Sequence, residues 1–417
     1  MTDQITPSEA GMDAAALARL DASVQADIDA GLHFGASLLV ARGGKIVHRA
    51  NLGTVAPNRP AASDDRYLLM SMSKAYTAVL AMRAIEQGLF TLETKVAELM
   101  PGFGVKGKQD ATMRQLLCHT AGLPSTPVSP PLPLTAVGQL QRLATAAAKL
   151  EAVYPPGTRC AYTSGTGYDV LGQIIVNTDP KRRPFRQIAQ DEIFTPLGMR
   201  NTSFGLATND PKRVPVSWTP KSWAPPSDII GPVFNESLGA NSEYPCAGAF
   251  GTIDDVFRFT EALIGRGPDG VQLLKPETFA LARQNASGSL KLEAIMPKNK
   301  PAMMFQMLRT AGLAKFLKVA KAARGGQASN DLQKVSQPAN FSLLGGYTRG
   351  VGDYHNPAGR TASASAIAAV GGGSTGWMVD TERDLTFIFL SAGLMEGLQH
   401  PQRLERLADL AIAAIKN

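Results

Sequence analysis

A serine and a lysine three positions apart, Ser71 and Lys74, are the residues of this sequence whose types and spacing best suit covalent catalysis. A mostly apolar run follows them and predicts a buried helix that begins near Ser71. Residues three apart on a helix share one face, so the lysine amine would lie beside the serine hydroxyl. A serine becomes a useful nucleophile when a base lies next to it. The pattern occurs once, although roughly one match is expected by chance in a chain of this length.

A second candidate for proton transfer is Tyr162, in the stretch Tyr162-Thr163-Ser164. A free tyrosine has a pKa of about 10, so it is a poor base unless a nearby cation stabilises its phenolate. Lys74 would be a suitable cation if the fold brought the two together. The alternative is that Tyr162 is an ordinary core aromatic, and spacing alone leaves both interpretations open.

A competing nucleophile is Ser374, because residues 372–376 fit the Gly-x-Ser-x-Gly elbow of α/β-hydrolases, and Asp380 or Asp384 and then His400 follow in the expected order. That elbow requires a strand before the serine and a helix after it, whereas the residues after Ser374 predict a strand. Too little chain remains for the strand–helix units that carry the acid and histidine. The sequence therefore disfavours Ser374.

The composition argues against several other classes of protein. The net charge of +7 is dispersed and lacks the interleaved aromatics of a nucleic-acid site. The three cysteines form no CxxC pair, and the five histidines show no metal-ligand spacing. We therefore expect no metal, no cofactor, no disulfide framework and no nucleic-acid partner.

Membrane and targeting signals are also weak. No apolar run is long enough to span a bilayer, and residues 1–7 lack the basic region and apolar stretch of a secretory signal. The expectation is a cytoplasmic protein, or one whose leader has been removed. Residues 301–324 form a basic amphipathic stretch, for which three interpretations stay open: a lid, a membrane-surface helix or an ordinary surface helix.

The elements that must position these residues predict an α+β fold. Residues 14–30 and the C-terminal residues 404–415 have helical periodicity, while residues 37–50 and 377–390 read as antiparallel strand pairs. Strands near both ends with helices between them predict an antiparallel sheet flanked by terminal helices, plus an inserted, mostly helical lobe.

The same pattern predicts the domain boundaries. Residues 1–62 and 253–417 would form a discontinuous α/β lobe that contains the sheet. Residues 63–252 would form the helical lobe with the serine helix and the tyrosine loop. Residues 289–338 would be an insertion and a candidate lid. The active site is expected in the cleft between the lobes.

Several stretches in the same order resemble the serine β-lactamase and penicillin-binding-protein superfamily, and look most similar to its class C-like branch, the family VIII carboxylesterases. The resemblance covers roughly residues 35–415 and is weakest over 285–345. The matching stretches are Ser71-Met72-Ser73-Lys74, Leu116-Leu117-Cys118-His119-Thr120-Ala121-Gly122-Leu123-Pro124, Pro156-Gly157-Thr158 with Tyr162-Thr163-Ser164, Ile193-Phe194-Thr195-Pro196-Leu197-Gly198-Met199, Gly248-Ala249-Phe250-Gly251-Thr252, and Trp377-Met378-Val379-Asp380.

The resemblance implies a role for each site residue. Ser71 would be the acylated nucleophile, and Lys74 and Tyr162 would form its base system, with the resting proton on either of them. The backbone N–H groups of Ser71 and Gly372 would form the oxyanion hole. Substrate contacts would come from Ser164, Gly371 and Gly373. His119 falls at a motif position that looks structural.

One motif departs from the superfamily pattern. Relatives carry Lys-Thr-Gly in the third motif, and the esterase branch often carries Trp-x-Gly or His-x-Gly, but counting back from Asp380 gives Ala369-Val370-Gly371. A backbone donor survives the loss of a side chain, so acyl transfer is retained, whereas recognition of a lactam carboxylate by a cation is put in doubt. Ser164, where many relatives carry asparagine, likewise puts recognition of a lactam in doubt.

The resemblance thus predicts a serine hydrolase, specifically a carboxylesterase that cleaves short- to medium-chain esters of small-molecule substrates through an acyl-enzyme. The alternatives within this class are a β-lactamase or D-Ala-D-Ala peptidase-like hydrolase, and an acyltransferase. A non-catalytic binding protein on the same scaffold is the alternative from another class.

Overall fold

A computed structural model describes residues 4–219, 227–293, 337–373, 375–393 and 399–416 of the chain. The described residues contain both helices and strands. The helices are Ala14–Asp29 (α1), Ser73–Glu86 (α2), Val96–Leu99 (α3), Met113–Leu117 (α4), Leu140–Ala148 (α5), Thr166–Thr178 (α6), Phe185–Ala189 (α7), Ser227–Ser237 (α8), Ile253–Leu263 (α9), Pro276–Ala282 (α10) and Gln399–Ile412 (α11). The strands are Gly35–Arg42 (β1), Lys45–Ala56 (β2), Arg59–Pro60 (β3), Tyr67–Leu68 (β4), Ser203–Phe204 (β5), Ala249–Gly251 (β6), Tyr347–Thr348 (β7), Ile367–Gly371 (β8), Thr375–Asp380 (β9) and Leu385–Ala392 (β10).

The larger sheet has seven strands in the order β3-β2-β1-β10-β9-β8-β7. Each neighbouring pair is antiparallel, and the N-terminal hairpin joins the C-terminal strands where Leu39 of β1 pairs with Ile388 of β10. A smaller sheet of three strands, β4-β6-β5, supports the start of the serine motif. The predicted antiparallel α+β fold is therefore confirmed.

Both faces of the central strands are covered, because successive side chains point to opposite sides of a sheet. Leu38 and Phe389 pack in a core cluster together with α1 and α11. Leu39 and Ile388, the neighbours of Leu38 and Phe389 in their strands, pack instead in the larger core that contains α2 and α9. Strand β10 is consequently buried at every position, which explains its mostly apolar sequence.

Some expectations about organisation remain predictions. The lobe boundaries proposed from the sequence, at residues 1–62, 63–252 and 253–417, are not tested by the fold alone. Most of the predicted insertion at 289–338, and all of the amphipathic stretch at 301–324, lies outside the described residues. Among the helices that the structure describes, none combines the length and the apolar character needed to cross a membrane.

Candidate active site

Ser71 lies in a tight turn between strand β4 and helix α2. The sequence predicted that Ser71 would begin the helix, but residues 70–72 form a 3₁₀ turn and α2 begins at Ser73. The reason is the backbone of Met70, whose φ of 48° is in the left-handed region, so the chain turns sharply before the α-helical path begins. The sharp turn leaves Ser71 partly exposed, while Lys74 on α2 is 1% exposed.

The structure brings Ser71, Lys74 and Tyr162 together. The Tyr162 hydroxyl donates to Ser71 Oγ over 2.7 Å, and Lys74 Nζ donates to the same oxygen over 3.2 Å. Two proton-transfer groups therefore contact one hydroxyl, which is the geometry that general base catalysis of nucleophilic attack requires.

Lys74 is held by acceptors from three separate parts of the chain. Besides Ser71 Oγ, its amine donates to the carbonyl oxygen of Ser164 over 2.9 Å and to that of Cys246 over 3.1 Å. The rings of Tyr162 and Tyr168 lie 5.0 Å and 5.4 Å from Nζ. An ammonium group would satisfy all three acceptors, whereas an amine would keep the two carbonyls and direct its lone pair at Ser71. Both forms fit this pocket without an unpaired N–H.

His119, which lies just after α4, positions Tyr162. The two ring centroids are 4.7 Å apart, and Nδ1 of His119 accepts the backbone N–H of Thr163 over 3.2 Å. Burial, and then the charge of Lys74, hold the pKa of His119 well below its usual range, so the imidazole is neutral. The neutral ring of His119 therefore supports the tyrosine loop through its hydrogen bond to the backbone of the residue after Tyr162.

Ser164 contacts the site through its backbone. Its carbonyl accepts from Lys74, while its N–H donates to Ser125 Oγ over 3.3 Å. The two serine hydroxyls are also 3.3 Å apart and hydrogen-bonded. The side chain predicted to contact substrate is therefore already paired with Ser125.

The end of β8 packs against the turn that carries Ser71. A β-carbon added at Gly371 would lie 2.3 Å from the carbonyl oxygen of Leu69 and 3.1 Å from Cβ of Met70, so only glycine fits there. Gly372 faces open space, since a β-carbon there would meet nothing within 4 Å, and Gly373 has a φ of 90°. Ala369, which the sequence predicted as the first residue of the third motif, is fully buried in β8.

The secondary structure around position 374 does not support Ser374 as the nucleophile. Position 374 itself lies outside the described residues, but β8 ends at Gly371 and β9 begins at Thr375. A strand therefore follows, not the helix that a nucleophile elbow requires. The carboxylate of Asp380 accepts from the backbone of Ser363 over 2.8 Å and from Arg383 over 3.0 Å, so it is engaged away from position 374.

The structure also shows site residues that the sequence reading missed. Cys246 supplies a carbonyl to Lys74, and Tyr168 supplies a ring face, but neither role follows from residue type. Asp169 is a fully buried carboxyl group on α6, and burial raises its pKa well above the usual value. The sequence did carry a signal for it, because Asp169 is an acidic residue within a mostly apolar stretch. Within the described ranges, no group of acidic, histidine or cysteine side chains is arranged to hold a metal ion.

The turn at Ser71, the buried Lys74 and the antiparallel sheet with both terminal helices on one face are the features of a serine hydrolase with a β-lactamase-like fold. Residues 20–412 match the family model described as Beta-lactamase. The chain therefore belongs to the beta-lactamase family, which confirms the resemblance drawn from its motifs.

Individual relatives fall into several activity classes. Penicillin-binding protein 4 of Amycolatopsis lactamdurans is 31% identical over 234 residues, which are 54% of this chain and 58% of that protein, so the match spans less than two thirds of that relative. A penicillin-binding protein homologue from Caulobacter crescentus has a TM-score of 0.70 at 19% identity, covering 97% of this chain and 99% of its own. A family VIII carboxylesterase has a TM-score of 0.68 at 18% identity, covering 96% and 99%. These two structures establish the shared fold.

Proposed function

We propose that this protein is a serine carboxylesterase that hydrolyses short- to medium-chain esters through an acyl-enzyme on Ser71. The observation that carries the proposal is the convergence of Lys74 and Tyr162 on Ser71 Oγ, at 3.2 Å and 2.7 Å. A serine hydroxyl without a base is a weak nucleophile, and this one has two candidate proton acceptors within hydrogen-bond distance.

In the acylation step, Lys74 in its amine form takes the proton of the Ser71 hydroxyl as Oγ bonds to the ester carbonyl carbon. The carbonyl oxygen becomes an oxyanion, which the backbone N–H groups of Ser71 and Gly372 stabilise. The bond to the alcohol oxygen then breaks. The proton leaves Lys74 through the Tyr162 hydroxyl to the departing alkoxide, which leaves an ester on Ser71 and a neutral alcohol.

Deacylation repeats these transfers with water. Water gives a proton to the Tyr162 and Lys74 pair and attacks the acyl carbon, and the oxyanion again lies between the two backbone donors. When the bond to Ser71 Oγ breaks, the proton returns to Ser71. The products are the carboxylic acid and the regenerated enzyme.

Two side chains favour esters over lactams. Ala369 is buried and uncharged where relatives carry a lysine, so no cation from that position faces a lactam carboxylate. Ser164, in place of asparagine, has its hydroxyl bonded to Ser125 and is less available to an acylamino group. An unsubstituted acyl chain needs neither contact.

The test uses the two serines of the motif as a matched pair. Ser71→Ala should abolish turnover of p-nitrophenyl butyrate and labelling by a fluorophosphonate probe. Ser73→Ala is the control, since Ser73 is fully buried and its hydroxyl accepts the N–H of Ala249, so labelling should persist. Activity that survives Ser71→Ala and is lost in Ser374→Ala would contradict the proposal, and wild-type protein that never labels would favour a binding protein.

A β-lactamase or D-Ala-D-Ala peptidase is the second candidate, because Penicillin-binding protein 4 is among the sequence relatives. A panel with a butyrate ester, a chromogenic cephalosporin and a D-Ala-D-Ala peptide separates these activities. Product analysis with an added alcohol acceptor would reveal acyl transfer. We expect the ester to have the largest kcat/KM of the panel.

A further inference from the structure

An open cleft of about 600 Å³ shares no residue with the site around Ser71 and is lined largely by charged groups. Its walls come from three parts of the chain: strand β2, the segment between α7 and β5, and the N-terminal half of helix α9. The charged residues that line it are Arg49, Arg200, Asp254, Asp255 and Arg258. Three guanidinium groups against two carboxyl groups give the cleft an excess of positive charge.

Both carboxyl groups of the cleft already have partners within the protein. Asp254 forms a bidentate ion pair with Arg49, whose Nη1 donates to Oδ2 over 2.8 Å and whose Nη2 donates to Oδ1. Asp255 is buried, and its Oδ2 accepts the backbone N–H of Asn201 over 2.8 Å and the hydroxyl of Thr202 over 2.9 Å. The two aspartates therefore hold the walls of the cleft together.

Arg200 and Arg258 have no such partners. Within the described ranges, neither guanidinium group forms an ion pair or a hydrogen bond, and the charge of Asp255 acts on Arg258 only through space. Gly198 has no side chain to cover Arg258, whose Nη1 lies 3.8 Å from the position that a β-carbon at Gly198 would take. Each guanidinium group is always charged and has five N–H donors, so two sets of charged donors are available to a ligand.

We propose that this cleft binds a small phosphate monoester, with the phosphate on Arg200 and Arg258 and the organic part in the remaining space. A phosphate monoester has about two negative charges and three strong acceptor oxygens at neutral pH, which match two unpaired guanidinium groups. Guanidinium forks bind phosphate oxygens in pairs. A single carboxylate supplies less charge and fewer oxygens, so it would leave one arginine without a partner.

The size of the cleft supports an organic ligand rather than a phosphate ion alone. Small-molecule sites commonly enclose about 300–1,000 Å³. The volume of about 600 Å³ falls in that range and exceeds what one phosphate group fills. Each oxygen of Asp254 keeps an acceptor lone pair beyond its bond to Arg49, so a hydroxyl group of the organic part can donate there. This inference does not depend on the chemistry at Ser71.

The experiment measures binding to the wild-type chain by isothermal titration calorimetry in low-salt buffer. The probes are glycerol phosphate, adenosine monophosphate, inorganic phosphate and glycerol. We expect saturable binding of the monoesters, tighter binding of at least one of them than of inorganic phosphate, and no binding of glycerol. Absence of saturable monoester binding would overturn the inference, and so would inorganic phosphate as the tightest ligand.

Arginine variants test the location of the site. Arg200→Ala and Arg258→Ala should each weaken binding of the tighter monoester by about tenfold or more, because each removes hydrogen bonds to a charged group. Arg19→Ala is the matched control, since it removes the same charge from an exposed position of α1 outside the cleft and should bind like the wild type. Equal affinities in the cleft variants and the control would overturn the inference. Arg200 is exposed, so Arg200→Ala keeps the test valid if circular dichroism shows that Arg258→Ala does not fold.

Asp254→Asn should change the affinity in the opposite direction. The variant removes a negative charge from the cleft and releases Arg49 from its ion pair, so a third guanidinium group becomes available to the phosphate. Monoester binding should tighten severalfold. A purely structural role of this ion pair predicts unchanged or weaker binding, and either result would overturn the inference.

Discussion

The α-carbon of Gly345 lies directly against the backbone of Lys74. A β-carbon built at Gly345 would be 2.4 Å from the carbonyl oxygen of Lys74 and 2.5 Å from its carbonyl carbon. The segment before β7 thus packs against the first turn of α2, which carries the lysine. The sequence interval between the two residues gives no hint of this contact.

Gly345→Ala should destabilise the protein more than an equivalent change elsewhere. Gly88→Ala is a matched control, because the two glycines have φ values of 75° and 74° but an added β-carbon at Gly88 meets nothing within 4 Å. Left-handed backbone strain should cost both variants about 1–2 kcal/mol. The clash with Lys74 should cost Gly345→Ala a further 1–3 kcal/mol or so. Urea unfolding measures both, and equal losses would contradict the close contact.

Lys74→Arg should distinguish a proton acceptor from a fixed cation. A guanidinium group keeps the positive charge but cannot be deprotonated in proteins, so it cannot take the proton of Ser71. We expect kcat/KM for the butyrate ester to fall by roughly 10²–10⁴. Retention of activity within tenfold would show that Lys74 serves only as a charge. Thermal unfolding of the variant checks that the larger side chain is accommodated.

Position 372 offers a test of the backbone donor. Gly372→Pro removes the N–H that would bind the oxyanion, and we expect a loss of about 10²–10³ in kcat. Gly372→Ala keeps the N–H, and an added β-carbon there meets no atom within 4 Å, so it should retain far more activity than the proline variant. Comparable losses in the two variants would place the oxyanion donor elsewhere.

The three cysteines should be unreactive in the folded protein. Cys118, Cys160 and Cys246 are all buried and free, and burial is the main cause that raises the pKa of each thiol above its usual value. The reactive thiolate is therefore scarce at neutral pH. Treatment with a thiol reagent should modify none of them in native protein and all three in urea. Rapid labelling of the native protein would show that one of these sites is open to solvent.

Local elements were predictable because their signals are local. The amphipathic pattern of α1, the strands of the hairpin and of β9–β10, and the antiparallel α+β class followed from periodicity and turn residues. The start of α2 did not, because the left-handed backbone at Met70 delays the helix to Ser73 and nothing in the apolar run announces that turn.

The sequence by itself determined which groups were available for chemistry: a serine and a lysine three apart, a tyrosine in a family motif and a third motif without its cation. Only the tertiary structure decided that they meet. Tyr162 Oη reaches Ser71 Oγ across 91 positions because α2 packs against α6, the helix that follows the tyrosine loop. Packing also decided that Asp169 is fully buried, without normal hydrogen-bond partners for its carboxyl oxygens in the described structure. Spacing along a chain fixes which residues share a helix face, but burial and long-range contact depend on how whole elements pack.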